Sequence, residues 1–245
     1  MSSISSNAAG QKRKADRKSK QKLKKERRRQ EKLERAARLL NVRKAMYSSD
    51  DETPLNFLVA TGFNPDSPFC NYTKNNLSVQ IEYGDFTTLS KADFETVYEL
   101  TRGNMVDQYN RAAEKDPTWS WSEKKKKSEL MHSDARYLLV RESSSNDIVG
   151  FAHIRFEAEE DVEVTYLYEL QLTEAVQNHG LGKRIMQIIE LVSAKLHMKW
   201  VMLTVFKANQ AAWDFYQKLK YEIDETDPSL CEETATDEPA PYNIL

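Results

Sequence analysis

At 245 residues the chain has room for one sizeable domain with extensions, and a 40% hydrophobic share supports a packed core. No apolar run approaches the roughly 18 residues that a membrane-spanning helix needs, and two cysteines, Cys70 and Cys231, without a Cys-x-x-Cys pair point to a reducing compartment rather than a disulfide framework. The formal charge of −2 hides an asymmetry: residues 11–44 hold 17 Lys+Arg against 4 Asp+Glu, a local +13, and the rest carries −15, so a basic arm joins an acidic body suited to a cationic substrate.

Residues 1–10 are small and polar, and are expected to lack structure. The segment 11–46 is rich in helix formers, with its apolar positions concentrated late, at Leu33, Ala36, Ala37, Leu39 and Leu40. Two readings stand: a solvated charged helix, or a nuclear-localisation or nucleic-acid-binding arm whose Lys/Arg cluster attracts phosphate. The two combine if 33–40 docks on the domain while the earlier part stays free, and removal of 1–46 is expected to leave the rest working. Residues 48–76 are turn-rich and read as a connector wrapped on the surface, ahead of a domain over 77–245.

Within that domain, the alternation of 77–83 predicts a first strand, and 91–115 a helix with an inward stripe of Phe94, Val97, Tyr98, Leu100 and Thr101. Trp119 and Trp121, a packing lid, precede a short charged helix whose Lys-Lys-Lys-Lys run reads as a solvated face. Strands follow at 135–141, 148–156 and 162–172, as an antiparallel meander, and then at 200–206; a helix over 209–219 leads to a last strand from 221 onward. The acidic stretch after it ends in an apolar Tyr242-Asn243-Ile244-Leu245 that can return to the sheet. His132, His153, His179 and His197 show no metal-ligand spacing, and no metal is expected.

The chemistry concentrates at 163–184. A strand of near-continuous apolar alternation (Val164, Tyr166, Tyr168, Leu170, Leu172) runs into Gln177-Asn178-His179-Gly180-Leu181-Gly182, and helical spacing starts at Leu181. The unpaired N–H groups of a first helical turn, with glycine in place of a Cβ, form a diphosphate cradle. A Gly-x-Gly alone often only shapes a turn. There is no third glycine and no acidic residue about 20 positions on, which disfavours a dinucleotide fold.

With Asn209, Ala212 and Phe215-Tyr216 after the strand 201–206, this pattern resembles the GNAT superfamily of N-acetyltransferases. The resemblance implies an α/β GNAT fold: a mixed, mostly antiparallel sheet flanked by helices, here with a basic helical extension. It also implies acetyl-CoA as co-substrate. Cofactor contact falls by this likeness to Leu170, Gln171 and Leu172 on the strand, to Gln177, Asn178, His179, Gly180, Leu181, Gly182 and Lys183 at the turn, and to Asn209.

A finer likeness rests on Tyr-x-Tyr-Glu over 166–169, on 201–209, on the Trp-x-Trp pair and on the closing 242–245. These features resemble the NatD family of histone N-terminal acetyltransferases, which act on the serine amine of tails beginning Ser-Gly-Arg-Gly in histones four and two-A. That likeness implies histone tails as partners, direct transfer in a ternary complex, a monomer, and a place in nucleus and cytoplasm. It assigns substrate contact to Tyr109, Glu157, Ala158, Glu159, Tyr168, Thr204, Thr226 and Tyr242, and gives Glu169 the role of base through a water. Tyr168 is the expected proton donor and Tyr216 a secondary one. Glu169 also reads as a strand carboxylate in an ion pair, and Glu157, Glu159, Glu160, Asp161 and Glu163 as a solvated acidic hairpin. An acetyltransferase for lysine or small amines, and an inactive chromatin- or nucleic-acid-binding relative, are the alternatives.

Overall fold

A computed structural model describes residues 3–48, 53–230 and 240–245, with side chains from residue 22 onward and at Lys20; Cys231 lies outside the described residues. Seven strands form one sheet in chain order: β1 (Asn71–Lys74), β2 (Leu77–Asp85), β3 (Arg136–Glu142), β4 (Ile148–Glu159), β5 (Val162–Leu172), β6 (Trp200–Phe206) and β7 (Tyr242–Ile244). Every neighbouring pair is antiparallel except β5 and β6. That parallel pair is joined through the helix α5 (Leu181–Lys195), because parallel strands need a long crossover. Leu181, Ile185, Ile188, Ile189 and Val192 of α5 recur at helical spacing, and all are buried against the sheet.

The remaining helices are α1 (Ser3–Met46), α2 (Phe57–Ala60), α3 (Lys91–Ala113), α4 (Glu123–Leu130) and α6 (Gln210–Lys218). One core, under α1, α2 and α5, gathers Phe57, Ile81, Phe156, Ile185 and Ile189. A second joins Val97 and Tyr98 of α3 and Leu130 of α4 to Tyr137, Leu139 and Phe151 of the sheet. The helical stripe expected on α3 is there, with Val97, Tyr98 and Thr101 buried.

Four expectations change. The helix begins at Ser3, inside the stretch 1–10 read as unstructured, because each residue added to a formed helix gains a backbone bond at small cost. Leu33, Leu39 and Leu40 stay exposed; α1 docks instead through Arg38, Asn41, Val42 and Ala45, and its end at Met46 accepts a bond from Arg136. Residues 1–46 are therefore not wholly dispensable to the core. The 48–76 stretch is no surface wrapping, since it buries Phe57, Leu58, Phe63 and Cys70 and contributes β1. The last strand lies at Tyr242–Ile244, not from 221 onward.

Two irregularities open the sheet. Between β4 and β5 the register shifts, with His153 opposite Glu169 but Ile154 opposite Leu167, so Tyr168 is an extra residue on β5. Such a bulge bends the strand and re-aims its side chains. β5 pairs with β6 only from Val164 to Leu167, and from Thr204 to Phe206 β6 pairs with β7 on its other edge. Past Leu167 the two central strands part, and a cleft fills the gap.

Candidate active site

The cleft has a volume of about 410 Å³. Tyr166 to Gln171 of β5 form one wall, Met202 to Phe206 of β6 another, and Asn209, Ala212 and Tyr216 close one end. Tyr109 of α3, Trp119, and Lys126 and Glu129 of α4 form the roof. Aromatic rings tie that roof together: Tyr109 meets Phe206 edge-on at 4.9 Å and Trp121 at 5.3 Å, and Trp119 packs on Tyr242 at 4.8 Å. The Trp-x-Trp pair is thus part of the lid that the sequence suggested.

The bulge sets the chemistry of β5. Glu169, just past it, is buried, with one carboxylate oxygen 2.8 Å from the Lys126 ammonium and the other accepting from Gln171 Nε2 at 2.7 Å. Gln171 is in turn held by Asn104 Nδ2 at 3.0 Å. Lys126 also reaches Glu129 at 2.6 Å. The ion-pair reading of Glu169 is therefore present in the fold, and the reading of the lysine run as a solvated face is overturned at Lys126. Its side chain is only 6% exposed because position 126 lies one helical turn before buried Leu130 on the same face. Burial works against the Lys126 ammonium, but Glu169, Tyr109 and Glu129 more than offset it and hold its pKa above the ordinary lysine value. Burial pushes the Glu129 carboxyl up, against the pull of Lys126.

Tyr168 points its hydroxyl to Glu157, donating across the carboxylate at 3.0 and 3.1 Å. Its ring stacks on His153 at 5.1 Å and lies under the Arg155 guanidinium at 4.2 Å. Burial, then the Glu157 charge, push the phenol above the ordinary tyrosine value. Burial likewise raises Glu157, opposed by the Tyr168 bond and Arg155. His153 is held well below the usual imidazole range by burial, then by Arg155 and Lys126, and is neutral. The single Tyr168 proton is committed to Glu157, so in this arrangement Tyr168 does not present a donor to the cleft. Tyr216 lines the cleft with its phenol pushed up by burial and by Glu169, so it is protonated at neutral pH.

The glycine turn that the sequence placed ahead of a helix is present. Gly180, at φ +88°, precedes α5, and no side chain caps the first helical turn. A Cβ on Gly180 would come within 2.9 Å of the Tyr72 hydroxyl and 3.5 Å of the Lys74 ammonium. Tyr72 donates to the His179 carbonyl at 2.6 Å, so β1 fastens the turn. Open first-turn amides, a glycine where a side chain would intrude and a lysine alongside fit a diphosphate. Gly182 is crowded too, since a Cβ there would meet the Phe215 ring at 3.2 Å.

Of the residues singled out from sequence, the fold gathers Tyr109, Glu159, Tyr168, Glu169, Leu170, Gln171, Thr204, Asn209 and Thr226 around the one cleft. Thr204 shares a 2.5 Å hydrogen bond with Tyr166, Thr226 donates to Asp224, and Asn209 caps α6 by accepting from the Ala212 amide. Gln177, Asn178, His179, Gly180, Leu181, Gly182 and Lys183 lie together at the start of α5, and the Gln177 amide donates to the Leu172 carbonyl at 3.1 Å. Leu181 itself turns into the core, leaving only its backbone to face a ligand. Glu157 and Tyr242 stand behind the wall, in contact with Tyr168 and Trp119. Ala158 is on the wrong face: strand alternation directs it away from Glu157 and Glu159, to a shallow hollow beside Arg35, Arg38 and Leu39 of α1. Of the acidic hairpin, Glu159 faces the cleft, whereas Asp161 pairs with Arg38 and Glu163 with Lys199.

Lys126, Glu129, Tyr72 and Lys74 were not found from sequence. The signal for the first two was the shared helix face of 126, 129 and 130; β1 carries no comparable pattern.

A model of the acetyltransferase (GNAT) family matches residues 94–221, more than half of the chain. Among solved structures, NAA60 of Arabidopsis thaliana in complex with a bisubstrate analogue is 11% identical with a TM-score of 0.48, over 67% of this chain and 96% of that one. The YycN protein of Bacillus subtilis is 16% identical with a TM-score of 0.48, over 60% and 93%. A ribosomal-protein-alanine N-acetyltransferase of Brucella melitensis is 12% identical with a TM-score of 0.43, over 60% and 93%.

Proposed function

Because the chain belongs to the GNAT family of acetyltransferases, we propose that its acceptor is a protein N-terminus, and specifically the serine amine of histone tails beginning Ser-Gly-Arg-Gly. The observation that carries this reading is the acidic, aromatic-roofed cleft at the parting of β5 and β6, where Glu129, Glu159 and Glu169 converge. Carboxylates there suit a cationic tail. An α-amine also asks less of a base than lysine, with a pKa of about 7.7–8.0 against about 10.4.

Acetyl-CoA, when bound, supplies the acetyl group as an activated thioester. The α5 turn and the open edge of β5 hold it. Glu169 accepts the amine proton through a bridging water: each of its oxygens has one partner and a second lone pair to offer. As the new amide bond forms and the carbon–sulfur bond breaks, the Tyr216 hydroxyl gives a proton to the sulfur, since the Tyr168 proton is engaged by Glu157. Tyr216 is then reprotonated from solvent, as Glu169 releases the amine proton to it. Tyr168, Thr204 and Glu159 line the path of the peptide. No covalent enzyme intermediate is needed, as no cysteine lines the cleft among the described residues.

The exposed basic part of α1 we assign to nucleic-acid or ribosome contact, in nucleus and cytoplasm, on its charge alone. The test of the acceptor is transfer from labelled acetyl-CoA to a Ser-Gly-Arg-Gly-Lys peptide, beside the same peptide blocked at its N-terminus. Label on the free peptide alone is expected. Equal label on both would mean lysine acetylation, and none on either would sink the assignment.

A further inference from the structure

We propose that Lys126 is a positioning residue for acetyl transfer, which keeps Glu169 ionised and aimed into the cleft. The inference rests on Glu169 as proton acceptor, and thus on the function proposed above.

α4 is set by its Ser122 cap, and its one strongly apolar inward position is Leu130. A turn earlier on the same face Lys126 enters the cleft, while Lys124 and Lys125 stay exposed. Its ammonium has three protons. Glu169 lies 2.8 Å away, Glu129 2.6 Å away, and the Tyr109 ring centroid 5.2 Å away. The groups that face the Glu169 carboxylate are Lys126 and Glu129 from α4, Tyr109 from α3, Tyr137 from β3, His153 opposite it on β4, Gln171 on its own strand and Tyr216 from α6. Among the described residues, Lys126 is the one cation in ion-pair contact with it.

Two carboxylates close together in a buried site cannot both stay ionised without a counter-charge. Fastening α4 to the sheet would need no ammonium at this place, since an apolar side chain of the same length does that with no desolvation cost. Asn104, Gln171, Glu169, Lys126 and Glu129 form a run of bonds anchored on α3, β5 and α4, and Lys126 is its only charged donor. The geometry gives Lys126 two effects: it fixes the direction of the Glu169 carboxylate, and it supplies the charge that lets the carboxylate remain a proton acceptor beside Glu129.

The experiment uses the full chain with Lys126→Met and Lys126→Arg. The carbon-13 carboxyl signal of Glu169, assigned by its loss in Glu169→Gln, is followed against pH without any turnover. In Lys126→Met it is expected to titrate at higher pH than in the wild type, and in Lys126→Arg close to the wild type. In parallel, kcat for the amine acetylated by the wild type should fall by about 10²-fold in Lys126→Met, with KM for acetyl-CoA within twofold, and Lys126→Arg should recover most of it. An unchanged Glu169 titration in Lys126→Met overturns the proposal, as does a loss of activity that Lys126→Arg does not rescue. If Lys126→Met does not fold, Lys126→Gln takes its place, and an unchanged Glu169 titration there overturns the proposal as well. Failure of the acceptor assignment appears separately, as absent transfer by the wild type, while the titration still reads Lys126.

Discussion

Glycine 180 joins backbone geometry to ligand binding at a single atom. Its φ of +88° lies where L side chains are strained, and an added methyl would press on the Tyr72 hydroxyl that braces the turn. Gly180→Ala is expected to displace the turn and raise KM for acetyl-CoA about tenfold, equivalent to about 1.4 kcal/mol, with kcat little altered. Steady-state kinetics with acetyl-CoA as the varied substrate checks this, and an unchanged KM would remove the turn from the diphosphate site. The same scale explains Glu169. Its partners are ordinary residues, but the bulge at Tyr168 sets the face on which Glu169 and Gln171, two apart on the strand, lie together, so they share a bonded network.

Among elements, β7 is tied to the body of the fold by a buried side chain as well as by its ladder. It is three residues long, at the short end of the usual strand range. Asp227 is fully buried behind it, accepting from the Ile244 amide at 2.7 Å, Asn243 Nδ2 at 3.1 Å and the Ser229 amide at 2.8 Å. Burial alone would raise the Asp227 pKa, but the Ser229, Ile244 and Asn243 donors outweigh it and hold the carboxyl below the usual value. Because the folded pKa is depressed, this stabilisation is complete above the unfolded value of about 3.9 and is lost as pH falls through the folded value. Asp227→Asn turns an amide donor toward other donors, and should cost about 1–3 kcal/mol at neutral pH. Urea unfolding of the two proteins at pH 7 and at pH 3 reads the effect; the gap between them is expected to narrow in acid. Since Ile244 lines the cleft and Tyr242 supports Trp119, the variant should also loosen the roof.

At the scale of the molecule, a helix of 44 residues, roughly 66 Å long, is fastened to the sheet near its C-terminal end. The described side chains from 22 to 37 are exposed, whereas Arg38 pairs with Asp161, and Val42 and Ala45 enter the core. Deletion of 1–37 should leave the melting temperature and acetyl transfer near wild type, and lower the salt concentration at which the chain leaves heparin. Deletion of 1–47 removes Val42, Ala45 and the Met46 carbonyl that accepts from buried Arg136, and should cost several kcal/mol, about 2–4 of it from the apolar side chains. Thermal unfolding of both truncations distinguishes these outcomes. Equal stability would mean that the docked turn of α1 contributes nothing.

The elements were legible wherever local pattern decides them. β5, β6, α3 and α5 follow from period-two and period-3.6 apolar spacing, and the cradle follows from two glycines at a strand–helix junction. The sequence by itself thus determined the α/β order, the acetyltransferase family and the location of the glycine turn that opens α5, because each is written in residues near one another in the chain. Only the tertiary structure decided which charges meet. A one-residue bulge opposite β4 aims Glu169, Lys126 arrives from 43 positions away, and Tyr72 and Lys74 come across the fold to the α5 turn. A lysine in a run of four looks solvated from its neighbours in sequence, and is buried because its helix lies on a carboxylate supplied by another element. Such pairings depend on three-dimensional packing that local periodicity does not encode.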